Sequence, residues 1–223
     1  SRALALSQQS SELNRDLAAL DCQQLGVDPM SQALALAQLS QLSEVRQKNL
    51  LRYCMQARGL PLPTTAQLRA LVNEVIHAAE DADPLVQWAG IQARRFRGQL
   101  YIISTLPAFD AMRVYPWLHS EVLELEGNGQ LFCEPVGDLV LSSGQTLTVR
   151  FRQGGERCQP AGRSGSQTLK KLFQEYAVPT WLRDRVPLVY VGNDLAAVAG
   201  YWVCEAFLVR QGEEGIGIRW TPP

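Results

Sequence analysis

Hydrophobic positions in the first eighty residues recur at the three- and four-residue spacing of helices. Residues 3–20 form one amphipathic segment, and a second lies between Ser43 and Gly59, which can cap its two ends. A third helix follows Thr64 or Thr65. Its predicted apolar stripe consists of Leu68, Leu71, Val72, Val75 and Ile76. A short helix is also expected within residues 31–39.

From residue 86 onward the period shortens to that of strands. Residues 86–89, 91–97 and 99–103 read as three strands joined by glycine turns. Further along, strands around Gly144, a helix over residues 166–176, a hairpin at residues 192–194 and a last strand at residues 216–220 are predicted. The predicted fold class is α+β: an N-terminal helical unit with a small antiparallel sheet, then a small α+β C-terminal domain.

The charge of the chain is unevenly distributed, although its formal total is only −1. From Ile103 to Ser143 there are six acidic residues and one basic residue, a net of −5, whereas from Gly144 to Tyr190 there are eight basic and three acidic residues, a net of +5. A basic surface on a small folded frame can bind a polyanion. The candidate binding residues are Arg150, Arg152, Arg157, Arg163, Lys170, Lys171, Arg183 and Arg185. Arg94, Arg95 and Arg97 form a weaker, secondary candidate cluster.

Two local features leave alternatives open. Residues 162–166 are followed by Lys170 and Lys171, which predicts either a helix start that holds one phosphate or a capped helix with a solvated lysine face. Trp181 can stack on a base or close a small core.

The sequence offers no catalytic or metal-binding constellation. The five cysteines are odd in number and contain no C-x-x-C, which argues against zinc and against a disulfide scaffold and suits reduced cytosol. The two histidines have no partner at a diagnostic spacing. No apolar run is long enough to cross a bilayer, and no signal peptide is recognisable. The first residue is not Met, so we expect a piece of a longer protein.

Four sequence segments carry a family resemblance. The most specific is L-K-K-L-F-Q-E-Y-x-V-P-x-W-L-R-D, at residues 169–184. The others are L-S-E-V-R-Q-K-N-L-L-R-Y, G-L-P-L-P-T and W-A-G-I-Q-A-R-R-F-R-G-Q-L-Y, all in the first half of the chain. Together these segments resemble the bacterial tRNA(Ile)-lysidine synthetases. One departure is the stretch Ser166-Gln167-Thr168, where family members often carry an additional basic residue.

The resemblance implies a division of the chain into three segments. Residues 1–28 would be the linker helix that leads out of a catalytic domain, residues 29–105 a helical tRNA-binding domain, and residues 106–223 an α+β tRNA-binding domain. The family's S-G-G-x-D-S phosphate loop is absent from this sequence. The chain is therefore expected to be non-catalytic alone, with ATP and Mg belonging to the catalytic domain.

The resemblance also implies a role. In the family, ATP activates the wobble cytidine of the CAU anticodon of tRNA(Ile), and free lysine then attacks to form lysidine. This chain would dock the tRNA body and acceptor stem in the cytoplasm, so that remote contacts orient the anticodon. The alternative is a protein-interaction module that forms a homodimer or docks on its own N-terminal catalytic domain.

Overall fold

A computed structural model describes residues 2–79, 82–141 and 145–223, and it divides the chain into two compact units. Unit 1 is Ser1–Thr105 and unit 2 is Leu106–Pro223. Each unit combines helices with small antiparallel sheets, which confirms the α+β fold class.

The helices of unit 1 follow the predicted pattern with small shifts at their ends. They are α1 (Arg2–Leu25), α2 (Leu36–Leu39), α3 (Glu44–Ala57) and α4 (Thr65–Ala70), and α4 continues directly into a π-helical segment, Leu71–Ile76. Thr64 caps α4 through a capping box, because its hydroxyl accepts from Gln67 N and the Gln67 side chain accepts from Thr64 N. Ser43 occupies the N-cap position of α3, without a side-chain hydrogen bond.

The sheet of unit 1 has four antiparallel strands rather than three. Its strands are β1 (Ala33–Ala35), β2 (Leu85–Trp88), β3 (Ile91–Phe96) and β4 (Gln99–Ser104), in the order β1-β4-β3-β2. The prediction of a helix throughout residues 31–39 is therefore wrong in its first half. Three residues are too few to show a period, and their partner is β4, more than sixty residues away.

The core of unit 1 contains the whole predicted apolar stripe, because Leu68, Leu71, Val72, Val75 and Ile76 are all buried. Helix α1 packs on α3 through a face that includes Ala18, Asp21 and Cys22. Asp21 is fully buried and forms an ion pair with Arg46 of α3. The residues predicted to form a separate linker helix thus contribute to the packing of unit 1, and their linker role stays a prediction.

Unit 2 contains ten short strands and one α-helix in its described residues. The strands are β5 (Tyr115–Trp117), β6 (Leu123–Glu124), β7 (Gln130–Leu139), β8 (Leu147–Arg150), β9 (Arg157–Cys158), β10 (Gln167–Thr168), β11 (Leu188–Val191), β12 (Asp194–Val198), β13 (Trp202–Val203) and β14 (Ile216–Thr221). Helix α5 spans Leu169–Glu175, and 3-10 turns span Thr180–Leu182 and Glu205–Phe207.

These strands form three sheets. A five-stranded sheet has the order β13-β12-β11-β8-β5, a three-stranded sheet has the order β14-β7-β6, and β9 pairs with β10. The hairpin predicted at residues 192–194 joins β11 to β12. Of the strands predicted around Gly144, β7 ends at Leu139 and β8 begins at Leu147, while Gly144 itself lies outside the described residues.

Two apolar clusters fill unit 2. One lies around Phe151 and Val149, and the other packs Leu169, Leu172 and Phe173 of α5 against the sheet. Phe151 is buried, as the alternation of Arg150, Phe151 and Arg152 predicts.

A disulfide joins Cys158 to Cys204, so the expectation of reduced, unpaired cysteines is wrong for this pair. Residue Pro160 forms an isolated bridge with Cys204, and Glu205 N donates to Gln159 O, which brings β9 beside the end of β13. The two Cα atoms lie 5.9 Å apart, within the range of disulfides. The partners are 46 residues apart in sequence, and no spacing rule predicts such a pair.

Candidate nucleic-acid interface

Four of the eight predicted binding residues lie around helix α5, and we call them the α5 cation cluster: Arg157, Arg163, Lys170 and Lys171. Arg157 stands on β9 opposite Thr168 of β10, and its Nη2 donates to Ser166 O over 2.7 Å. Thr168 in turn caps α5, because its hydroxyl accepts from Lys171 N. The short β9–β10 pair therefore places Arg157 next to the start of the helix that carries both lysines.

The amphipathic character of α5 decides where its lysines point. Leu169, Leu172 and Phe173 face the core of unit 2, so Lys170 and Lys171 are left exposed on the opposite side. Lys170 forms no ion pair with any carboxylate in the described part of the chain. Lys171 remains 61% exposed, with its Nζ 3.8 Å from Glu175 Oε1.

Glu175 also holds Arg163, whose Nη1 lies 2.5 Å from Glu175 Oε2. This hydrogen bond raises the pKa of Arg163, and its guanidinium lies 5.8 Å from the centre of the Tyr176 ring. Within the α5 cation cluster, Glu175 is the acidic partner of Arg163 and Lys171, and no ion pair of Arg157 or Lys170 is found among the described residues. The four cations outnumber this one carboxylate, so the surface is positive and can attract an anion.

Arg185 differs from the α5 cation cluster, because its guanidinium forms hydrogen bonds with backbone carbonyls of unit 2. Its Nη1 donates to Gly127 O over 3.0 Å and its Nη2 donates to Pro107 O, while the group stacks over the Phe109 ring at 4.4 Å. Burial lowers the pKa of Arg185. These contacts tie distant loops together, which is a structural role.

Three further predicted arginines also have intramolecular contacts. Arg152 Nη1 lies 2.8 Å from Asp184 Oδ1, and Arg183 Nε donates to Val178 O over 2.9 Å. Arg150 stacks 4.6 Å above the Tyr190 ring. An RNA contact for these three residues stays a prediction, and the structure supports it less than for the α5 cation cluster.

The phosphate-binding alternative for residues 162–166 is wrong in its geometry. Helix α5 begins at Leu169, so this segment does not open it. Two amide groups at the helix start already have acceptors, because Leu169 N donates to Glu156 O and Lys171 N donates to the Thr168 hydroxyl. The remaining alternative, a capped helix with a solvated lysine face, describes the observed arrangement. Trp181 is half-buried in the 3-10 turn, which leaves both of its predicted roles open.

The secondary candidates Arg94, Arg95 and Arg97 lie on and just after β3 in unit 1. Arg95 Nη1 donates to Ile76 O over 3.1 Å and to Ala78 O, which satisfies carbonyls at the end of the π-helical segment. Arg94 Nε donates to the Gln92 side chain, and Arg97 lies 5.8 Å from the centre of the Phe96 ring. Their contact with RNA stays a prediction.

A second polar site in unit 1 was missed by sequence reasoning. Arg15 of α1 and Arg52 of α3 line one groove between these two helices. The arginines are 37 positions apart, so only the packing of the helices brings them together. The apolar spacing of each helix, combined with an assumed antiparallel pairing, was the signal that could have found them.

Neither a metal centre nor a bilayer-spanning helix is found in the part of the chain that the structure describes. No group of three or more His, Cys, Asp or Glu side chains is placed to hold an ion there. No described helix combines the length and the apolarity that crossing a membrane requires.

The fold and these surfaces define a two-unit α+β protein with cationic surfaces. Residues 34–101 match the family model of the TilS substrate binding domain, and residues 147–220 match that of the TilS substrate C-terminal domain. Together the two models cover more than half of the chain, which therefore belongs to the TilS family.

Similar proteins carry the name tRNA(Ile)-lysidine synthase. That of Coxiella burnetii is 44% identical over 85% of this chain and 43% of its own length. That of Photobacterium profundum is 37% identical over 93% of this chain and 48% of its own length. That of Legionella pneumophila strain Lens is 33% identical over 98% of this chain and 50% of its own length. The chain thus spans about half the length of the curated relatives that it matches.

A crystal structure described as a TILS C-terminal domain also aligns with the chain. The alignment has a TM-score of 0.39 and 19% identity and covers 49% of this chain and 98% of the other.

Proposed function

We propose that this chain is the tRNA-binding part of a tRNA(Ile)-lysidine synthetase, and that it docks the body and acceptor stem of the tRNA whose CAU anticodon is to be modified. The observation that carries this proposal is the α5 cation cluster, which lies inside the region matched by the family's C-terminal domain model. Unit 1 contributes the region matched by the substrate binding domain model.

The physical basis is electrostatic attraction with little base readout. Arg157, Arg163, Lys170 and Lys171 can neutralise phosphates on the outside of an RNA helix, whose base edges are hard to reach. Such contacts give affinity and register, and they position a distant anticodon for chemistry elsewhere in the full protein. The cytoplasm, where tRNA is found, is the compartment that fits this proposal.

The chemical step is assigned to a catalytic domain outside this chain. ATP there would supply the activation of the cytidine, with Mg as its companion ion and lysine as the second substrate. The residues of this chain do not fit ATP and its Mg ion, because the sequence lacks the S-G-G-x-D-S loop and the described residues hold no cluster of metal ligands. The role of this chain is therefore binding and positioning, with the catalytic domain as its partner.

A second candidate function, protein–protein contact, is favoured by one observation on helix α1. Its leucines at positions 6, 13, 17 and 20 share one side of the helix and are between 38% and 71% exposed. We expect light scattering to report twice the monomer mass if this face forms a homodimer. That mass would persist in high salt, because apolar contacts are not screened as a charge-driven contact would be.

The proposed function is tested by tRNA binding to the 223-residue chain and to a Lys170→Glu/Lys171→Glu variant. We expect the unmodified chain to bind isoleucine tRNA with the CAU anticodon, and the variant to bind about tenfold or more weakly at low salt, because two phosphate contacts become repulsive.

The matched control is Arg113→Glu/Arg219→Glu, which changes the total charge equally at exposed sites outside the α5 cation cluster. Equal weakening in both variants would indicate a general charge effect and count against the cluster. No binding by the unmodified chain would overturn the proposed function.

A further inference from the structure

Helices α1 and α3 of unit 1 form a groove that lies outside the acidic and basic charge windows, although its α3 side falls partly within the family segment at residues 42–53. Asp21 of α1 pairs with Arg46 of α3, while Asn14 contacts Asn49 further along α3, so the two helices run antiparallel. The groove lies at the Asn14–Asn49 end of this helix pair and has a volume of about 220 Å³. We call it the helix groove, and it is lined by Ser11, Asn14, Arg15, Asn49, Arg52, Tyr53 and Gln56.

The helix groove is positively charged and contains no acid. Its two charged lining residues are Arg15 and Arg52, and neither forms an ion pair with a carboxylate among residues that the structure describes. The acids of the same two helices that do form pairs are engaged elsewhere: Asp21 with Arg46, and Glu44 with Lys48. Arg15 and Arg52 are therefore not neutralised by an ion pair in the described residues, although the exposed acids Glu12 and Asp16 lie close to Arg15 along α1.

The groove is held in a fixed shape by its own helices. Asn49 Nδ2 donates to Asn14 O over 2.6 Å, which links the two helices beside the groove. Tyr53 is half-buried and packs against the core of unit 1. Arg15 and Arg52 thus project from two fixed backbones, so a ligand that contacts both arginines needs little rearrangement of the helices.

The chemistry of the lining fits a nucleic-acid backbone. Guanidinium forks match phosphate oxygens in a bidentate way, and the amide and hydroxyl groups of Asn14, Gln56 and Ser11 can exchange hydrogen bonds with a ribose 2′-hydroxyl. The volume is below the usual size of a small-molecule pocket, and its lining is polar rather than apolar. An extended polyanion that lies across the groove suits it better than an enclosed ligand.

We infer that the helix groove binds the phosphodiester backbone of the tRNA, as a second contact surface in addition to the α5 cation cluster. This inference rests on the proposed function, and it assigns unit 1 a specific pair of phosphate-binding residues, Arg15 and Arg52. Binding at a surface on each unit would give more affinity than either alone, by raising the effective concentration at the second site.

The test compares two double variants of the 223-residue chain with isoleucine tRNA as the probe. Arg15→Glu/Arg52→Glu reverses both groove charges. Arg2→Glu/Arg69→Glu makes the same change in total charge at exposed positions of α1 and α4 that do not line the groove. We expect the groove variant to bind about tenfold or more weakly at low salt, with the slope of log affinity against log salt reduced by about 1.5. We expect the control to change the affinity much less.

A milder pair, Arg15→Gln/Arg52→Gln, keeps the inference testable if the charge-reversed chain unfolds, as judged by circular dichroism. It should reduce the salt slope in the same direction. Equal binding by the groove variants and the unmodified chain, or equal weakening in the control, would overturn the inference and leave the proposed function standing. Failure of the unmodified chain to bind tRNA would overturn the proposed function and the inference together.

Discussion

The two units differ in how well the charge counted along their sequence describes the cations on their surfaces. Unit 1 has ten basic and nine acidic residues, so its charge looks balanced, yet Arg15 and Arg52 share a groove without an acid. In unit 2 the window of eight cations looks strongly basic, yet Arg185 is bonded to backbone carbonyls and Arg152 to Asp184. Charge counted along a sequence is therefore a poor measure of charge on a surface.

The difference follows from how each unit satisfies its backbone. Long helices such as α1 and α3 pair most of their own carbonyls, so Arg15 and Arg52 are not required as backbone donors. Other arginines of unit 1 are engaged, since Arg46 pairs with Asp21 and Arg95 donates to carbonyls after the π-helical segment. Unit 2 is built from short strands and loops, whose unpaired carbonyls need donors. Arg185 supplies two such donors to loops at Pro107 and Gly127, which are 78 and 58 residues away.

The largest difference between the two units is expected when the disulfide between Cys158 and Cys204 of unit 2 is removed. We expect Cys158→Ser/Cys204→Ser to lower the free energy of unfolding of unit 2 by about 2–4 kcal/mol and to leave unit 1 unchanged. Hydrogen exchange resolved by unit measures both at once. Equal loss of protection in the two units would contradict the division into separately packed units. Treatment of the unmodified chain with a reductant is the matching control.

The variants Arg185→Ala and Lys170→Ala compare a cation bonded to the backbone of unit 2 with a cation exposed to solvent. Loss of Arg185 removes two hydrogen bonds to loop carbonyls and the packing on the Phe109 ring, so we expect unfolding to become easier by about 1–3 kcal/mol. Lys170 is exposed and has no ion pair among the described residues, so its removal should leave stability within about 0.5 kcal/mol and weaken tRNA binding instead. Urea unfolding and a binding titration on both variants give the answer. A destabilised Lys170→Ala chain would show that the outward assignment is wrong.

A smaller effect is expected at the partly exposed pair Arg152 and Asp184. Because solvent screens such pairs, Asp184→Ala should change the free energy of unfolding by about 0–1 kcal/mol. It also frees the Arg152 guanidinium, so affinity for tRNA should rise slightly if this residue lies near phosphates. Weaker binding would instead mean that the pair positions Arg152 for the RNA. Asp194→Ala, an exposed acid on β12 without a resolved ion pair, is the control.

The smallest change is expected in the chemistry of the free thiols. Burial raises the pKa of Cys54 to about 12 and that of Cys133 to about 11. Because only the thiolate reacts, both should alkylate far more slowly than free cysteine at neutral pH and accelerate as the pH rises toward these values. Mass spectrometry after brief treatment with iodoacetamide checks this. Fast labelling of Cys54 would indicate that unit 1 opens readily.

Local signals in the sequence were sufficient for much of unit 1. The stripe from Leu68 to Ile76 and the Thr64 cap are fixed by neighbours within one or two turns, and both are present in the structure. The strand Ala33–Ala35 was missed because its partner, β4, is distant and three residues show no period. The same limit applies to the disulfide, whose partners meet only after β9 is placed beside β13.

The candidate site could be predicted only as a list of residue types. Basic residues around α5 follow from the sequence, and the helix period correctly places Leu172 and Phe173 inward and the lysines outward. The sequence could not show which guanidinium groups form intramolecular hydrogen bonds and which remain available to a ligand. That depends on carbonyls brought close by the tertiary fold, as Arg185 demonstrates, and the helix groove depends in the same way on how α1 meets α3.

The most direct test of tRNA docking by outward cations is the salt dependence of binding between the 223-residue chain and isoleucine tRNA. If the α5 cation cluster contacts about four phosphates, these contacts alone should make log affinity fall against log salt with a slope near −3, and contacts of Arg15 and Arg52 in the helix groove should steepen that slope by about 1.5. An affinity that does not change with salt would contradict the account, because no phosphate would then have exchanged its counterions for these side chains.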